Sequence, residues 1–227
     1  MVKGFRVCLP VLELACKSAK HRVVKIVHSN LRGVADILDM VPRLKIVQLF
    51  RDPRGITNSR LRTDWYEVEI RGYQKTVDDI ATMCSWMRDD IKCAKEMAKF
   101  YPDSFGTLQY EDFRSLKTSS CLFFRFLKMD CSATHIQQSF NLYESPDDIS
   151  PGKHKLNLNK TGNHPYLFRR QLNWKYVQVI NSLCLDVIQE LGYRVYVTEN
   201  DLRNTTIPDT ISDKLPYDIE QLTSITS

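Results

Sequence analysis

Leu44-Lys-Ile-Val-Gln-Leu-Phe50 runs directly into Arg51-Asp-Pro-Arg-Gly-Ile-Thr-Asn-Ser59-Arg60. No other stretch constrains the fold as much. The first seven residues are apolar and rich in β-branched types, which predicts a buried strand. Pro53 has no amide hydrogen for a sheet ladder, so the strand stops at Asp52-Pro53. A short helix is expected from about Gly55 to Leu61. Arg51, Arg54, Ser59 and Arg60 therefore gather at the carboxyl end of a strand, where ligands bind in α/β sheets. Guanidiniums and a hydroxyl placed there suit a phosphate, because arginine grips phosphate oxygens two at a time. Arg51 to Arg54 alone fit a second arrangement equally well, a solvated turn with an Arg–Asp pair.

The flanking text has the rhythm of an α/β chain. Residues 9–19 are amphipathic and predict a helix. His21 to His28 read as a strand through Val23, Val24, Ile26 and Val27, with Lys25 as a cation inside the apolar run. Residues 30–41 read as a helix ending before Pro42, so 21–50 predicts a β-α-β unit. Trp65 and Tyr66 stand in a polar stretch, 61–72, able to cover a site or to be buried. From Tyr73 to Tyr101 an apolar stripe keeps helical spacing and stops at Pro102. Gly106 to Tyr110 is a short strand. Glu111 and Asp112 then open a helix, where carboxylates cap well. The apolar run from Cys121 to Met129 predicts a core helix. Residues 141–165 are rich in turn formers and carry Lys153, Lys155 and Lys160, which predicts a mobile basic loop. A further helix spans about 171–191 with Gly192 as its cap, and 198–227 reads as a polar tail.

Composition narrows the function. A net charge of +5 on 227 residues suits an anionic cofactor or an acidic polymer and falls short of a dedicated nucleic-acid binder. No apolar run reaches the roughly 20 residues a membrane helix needs. Met1-Val-Lys-Gly-Phe-Arg has no signal-peptide core behind it. The chain thus reads as soluble, or as a fragment. Seven cysteines are present with no Cys-x-x-Cys, which argues against a zinc ribbon or a thioredoxin-like motif. Cys8 with Cys16, and Cys121 with Cys131, could close short loops in an oxidising compartment. Buried thiols are the other reading. Sequons at Asn159 and Asn204 point weakly toward secretion.

The apolar strand, Arg51-Asp-Pro-Arg54 and Ser59 eight positions after Arg51 together resemble the 3′-phosphate-binding segment of sulfotransferases. The form is that of the Golgi carbohydrate enzymes acting on O6 of galactose and N-acetylglucosamine. Tyr110-Glu-Asp-Phe113, Phe168-Arg169-Arg170, Cys184 and Leu191-Gly-Tyr193 add softer likenesses, so the resemblance spans about residues 5–196. It implies a P-loop nucleotide-binding type of α/β fold, a partial parallel sheet flanked by helices. It assigns Arg51 and Ser59 to the 3′-phosphate, Arg169 and Arg170 to the nucleotide, and Lys25 to the leaving group. His28 is a candidate general base, although it lies three residues after Lys25, one further than the histidine of the cytosolic sulfotransferases. The co-substrate implied is 3′-phosphoadenosine 5′-phosphosulfate, with no metal. The partner is a glycan or glycoprotein acceptor, with no nucleic acid, and a membrane only through an N-terminal anchor.

Residues 1–197 form the sulfotransferase domain on this reading and 198–227 the tail. The full-length form would be a type II protein of the Golgi lumen. The Gly/Ser-rich loop that holds the 5′-phosphosulfate, and the strand before it, do not precede Arg51. The expectation is an N-terminally incomplete sulfotransferase, or an inactive relative that only binds nucleotide or acidic glycan. A sheet without that strand would expose an apolar edge and dissolve poorly.

Overall fold

The computed structural model describes residues 13–27, 29–63, 68–111, 116–132 and 165–211. In chain order these form α1 (13–18), α2 (Arg32–Ala35), α3 (Ile37–Met40), β1 (Ile46–Phe50), α4 (Pro53–Arg60), α5 (Val68–Phe100), β2 (Phe105–Gln109) and α6 (Leu116–Phe126). After residue 164 come α7 (Phe168–Gln171), α8 (Trp174–Leu183), α9 (Leu185–Glu190) and α10 (Glu199–Arg203). The architecture is α/β: β1 and β2 pair in parallel, from Ile46 beside Phe105 to Phe50 beside Gln109, with helices packed around them.

The β-α-β unit is therefore β1, α4, α5 and β2, and not 21–50. Residues 22–27 form no strand, which corrects the expectation for His21–His28. A strand needs a neighbour to take its amides and carbonyls, and none pairs with this segment among the described residues. Its apolar side chains stay in solvent, with Val23 88% and Val24 80% exposed. Leu49 on β1 is half exposed as well.

The long stripe behaves as its periodicity predicts. The backbone leaves the helical conformation at Gly72 (φ 75°), so the uninterrupted helix begins at Tyr73. Ile80, Met83, Cys84, Met87, Ile91, Ala94 and Met97 are buried along one face. They pack on β2 and on α8, whose Val177 and Ile180 are fully buried. Asp90 stitches this helix to the sheet: it accepts the Leu31 amide at 2.7 Å and the Gln48 side-chain amide at 3.3 Å. A second, smaller cluster joins Leu108 to Phe126 of α6.

The helix expected over 171–191 is broken in two at Cys184 (φ −118°, ψ 18°), whose sulfur is bonded to Cys84 on α5. The apolar stripe runs on through the break, since Ile180, Cys184, Val187, Ile188 and Leu191 are all buried; periodicity alone therefore hides it. Gly192 (φ 73°) caps the end as expected. Cys121 and Cys131 are bonded, one of the two pairings that sequence spacing allowed. Cys16 is a free, exposed thiol, so the Cys8/Cys16 pairing is not made, and Cys8 lies outside the described residues.

The tail expected from 198 onward is tied to the fold at points as far as 211, although most of its residues are exposed. Thr198 and Asp201 form a reciprocal capping box that starts α10. Leu202 is fully buried, and Tyr193 bridges to Thr210. The Thr- and Asp-rich text that suggests fraying supplies the caps.

Candidate functional site

The parallel ladder ends at Phe50 and Gln109, but side chains carry the pairing one step further. Arg51 lies over the ring of Tyr110, 4.2 Å from its centroid. The next amide, Asp52 N–H, donates to Glu111 Oε1 at 3.2 Å. Asp52 then starts α4: its Oδ1 accepts the Arg54 amide at 2.8 Å, and Pro53 takes the first helical position.

Arg54 is the lock of this turn. It is fully buried. Its Nε reaches Asp52 Oδ1 at 2.8 Å, one Nη reaches Asp52 Oδ2 at 2.6 Å, and the other donates to the Arg194 carbonyl at 2.8 Å. The guanidinium sits against Phe168 and Tyr196, 5.1 and 4.9 Å from their centroids. Burial opposes its charge, yet the Asp52 pair more than offsets that, so its pKa rises above the usual arginine value.

Arg51 meets the opposite surroundings. It is only partly buried, and its Nε, shielded from solvent, has no hydrogen-bond partner among the described residues. The side chain crosses the first turn of α4 at Gly55, where a Cβ would come within 3.0 Å of Nε and 3.5 Å of the Pro165 carbonyl. Ser59 stands four residues beyond Gly55, hence one turn further along the same face, and is exposed. Guanidinium and hydroxyl thus line one strip of surface. Arg60 sits elsewhere, in a crevice with Thr57, Asp79, Ile80 and Met83.

Glu111 is buried beneath the turn. Its Oε2 accepts the Tyr193 hydroxyl at 2.6 Å while Oε1 holds the Asp52 amide. Burial first, and the charge of Asp52 second, push its carboxyl up to about 7. Tyr193, wholly buried, is raised well above its ordinary range for the same reasons, with Glu111 as the main neighbouring charge.

Residues 9–119, which include this turn, match the sulfotransferase family. Mouse carbohydrate sulfotransferase 1 is 25% identical over 210 residues, 85% of this chain and 50% of the mouse protein. The human protein of the same name is 24% identical over 216 residues, 88% of this chain and 51% of its own length. The chain is thus similar to carbohydrate sulfotransferases along most of its length. It spans about half the length of the curated relatives it matches. No solved structure matches it.

The residues expected at the site have different fates. Arg51 and Ser59 lie together along α4. Arg169 does not join them. Its Nε donates to the Leu202 carbonyl at 2.8 Å, and one Nη reaches the Ile207 carbonyl and Asp209 Oδ1 at 2.9 and 2.7 Å. Its remaining nitrogen takes the Asp201 and Asn204 carbonyls. All five donors are occupied by the chain itself, so Arg169 clasps 201–209 to α7 and has none left for a nucleotide. Arg170, beside it, is exposed. Lys25 is exposed in the unpaired segment 22–27, and no contact that builds the β1 exit involves it. His28, Trp65, Tyr66 and the expected basic loop over 141–165, apart from Pro165 at its end, lie outside the described residues.

Sequence reasoning gave Gly55 no role at the site, noted Tyr110 and Tyr193 only as likenesses to the family, and read Glu111 as part of such a likeness or as a helix cap. The signal for Tyr110 and Glu111 was present: they stand one and two places past Gln109, as Arg51 and Asp52 do past Phe50. Pairing two strands in register would have set them side by side.

Proposed function

We propose that this chain carries the nucleotide-holding part of a carbohydrate sulfotransferase of P-loop type. The enzyme moves a sulfuryl group from 3′-phosphoadenosine 5′-phosphosulfate to a sugar hydroxyl, O6 of galactose or N-acetylglucosamine on a glycan or glycoprotein. The observation that carries the reading is Arg51. Its guanidinium is oriented by Tyr110 and Gly55, its Nε is shielded and unpaired among the described residues, and it lies within a match to the sulfotransferase family. A buried donor without an acceptor costs about 1–3 kcal/mol, which an anionic ligand oxygen would recover. Arg51 grips the 3′-phosphate and Ser59 donates to it one turn further on. The strip then anchors the nucleotide while the acceptor oxygen attacks sulfur and the bond from sulfur to the bridging phosphate oxygen breaks. Adenosine 3′,5′-bisphosphate leaves, and the hydroxyl proton passes to a base. Lys25 is the cation proposed to meet the charge on the bridging oxygen, which requires segment 22–27 to come to the β1 exit.

The two disulfides support an oxidising compartment, and the Golgi lumen is the compartment proposed. The test is transfer: the chain is incubated with the phosphosulfate donor and oligosaccharides ending in galactose or N-acetylglucosamine. Mass spectrometry then looks for a sulfate on O6. Sulfated product supports the reading. Nucleotide binding without transfer to any sugar replaces it with a relative that only binds.

A further inference from the structure

Two strands that run in parallel share a ladder only while both stay extended. Here β1 turns into α4 at Asp52, and the amide of Asp52 loses its strand partner. Glu111 supplies the missing acceptor. It leaves β2 at the place level with Asp52, two residues past the Phe50–Gln109 pair, and its Oε1 takes the Asp52 N–H at 3.2 Å. The carboxyl is itself aimed from the far side: Tyr193, fully buried next to the cap of α9, donates to Oε2 at 2.6 Å. The residue before Glu111 is Tyr110, on which the Arg51 guanidinium rests. So one two-residue step out of β2 supports both the side chain of Arg51 and the backbone that follows it.

We propose that Glu111 is a positioning residue for the Arg51 turn. Its carboxyl extends the parallel ladder past the ends of the strands. It holds the Asp52 amide and thereby fixes the backbone from which Arg51 reaches across Gly55 toward a phosphate. Tyr193 orients the carboxyl, linking the C-terminal segment to the site. The proposal rests on the reading of Arg51 as the phosphate-binding residue. Glu111 is too deeply buried to touch a sugar, so it acts through Arg51 and not on the reacting atoms. Its environment fits this role: a carboxyl packed beside Asp52 and away from water is poorly placed for its own stability, as functional residues often are.

The experiment is calorimetric titration of adenosine 3′,5′-bisphosphate into the whole chain and three variants. Each is held well below its own melting temperature, so that Kd reports folded protein. Glu111→Leu removes the acceptor and is expected to raise Kd about tenfold, the worth of one well-placed hydrogen bond. Glu111→Gln keeps an oxygen for the Asp52 amide, and its Kd should stay within about threefold of the native protein. That rescue separates positioning by the acceptor from an effect of charge. Tyr193→Phe removes only the orienting hydroxyl and should weaken binding by an intermediate factor, which carries the test if Glu111→Leu does not fold. Native-like Kd in Glu111→Leu, or in Tyr193→Phe where the former is unfolded, overturns the proposal. So does a Glu111→Gln variant as weak as Glu111→Leu. No binding by the folded native chain removes the phosphate site itself, and the positioning role falls with it.

Discussion

Arg51 and Arg54 stand three residues apart and differ in what surrounds them. Arg54 points into aromatic rings and closes on Asp52, which removes it from any ligand. Arg51 points along α4 and keeps donors in hand. Gly55 makes the difference possible, because any side chain there would meet Arg51 Nε at 3.0 Å. Gly55→Ala should therefore leave α4 at least as stable, as alanine is the better helix former by about 1 kcal/mol, while weakening adenosine 3′,5′-bisphosphate by tenfold or more. Thermal melting and calorimetry on the same samples check both halves; unchanged affinity would mean that Arg51 does not use this path. At this scale the sequence was partly legible. The spacing from Arg51 to Ser59 survives as one helical strip. The Arg–Asp pair was legible as one of two arrangements, but the burial of Arg54 and the closure of Arg169 were not, because residue type does not record burial and both guanidiniums close on backbone carbonyls supplied from beyond residue 190.

Among the elements, periodicity identified those whose burial is one-sided and continuous. Strand β1 and the long stripe of α5 stand where the apolar pattern puts them, and α4 follows the stop at Asp52-Pro53. The pattern failed at 22–27, where β-branched residues lack a partner strand, and at Cys184, where an unbroken stripe conceals a break. That break is tied to α5 by a bond across 100 residues of chain, whereas Cys121–Cys131 closes only 10. Loop-closure entropy grows with loop length, so the longer bond constrains the unfolded chain more, by about 1–2 kcal/mol. Replacing Cys84 and Cys184 together by alanine should lower the unfolding free energy by about 1–2 kcal/mol more than replacing Cys121 and Cys131. Urea unfolding of the two double variants compares them directly, and an equal or smaller loss for the Cys84–Cys184 pair contradicts the greater constraint ascribed to the longer loop.

Over the whole molecule, the sheet exit, the aromatic box around Arg54 and the buried Tyr193 form one network ending at Glu111. Its carboxyl ordinarily titrates near 4.5 and is raised to about 7 in the fold. The folded state thus binds its proton more tightly than the unfolded state does. Stability from this group is complete below about 4.5, declines as pH rises, and is lost above about 7, a change on the order of 3 kcal/mol. In urea unfolding from pH 5 to pH 8 the native chain should lose stability relative to Glu111→Gln, and parallel curves would show that the carboxyl is not held in this way. The central claim remains the phosphate site at Arg51. It is tested most directly by calorimetric titration of adenosine 3′,5′-bisphosphate into the native chain beside Arg51→Ala. Saturable binding by the native chain is expected, with its loss in a variant that melts at the same temperature. Equal binding by the two proteins, or none by a folded native chain, would contradict it.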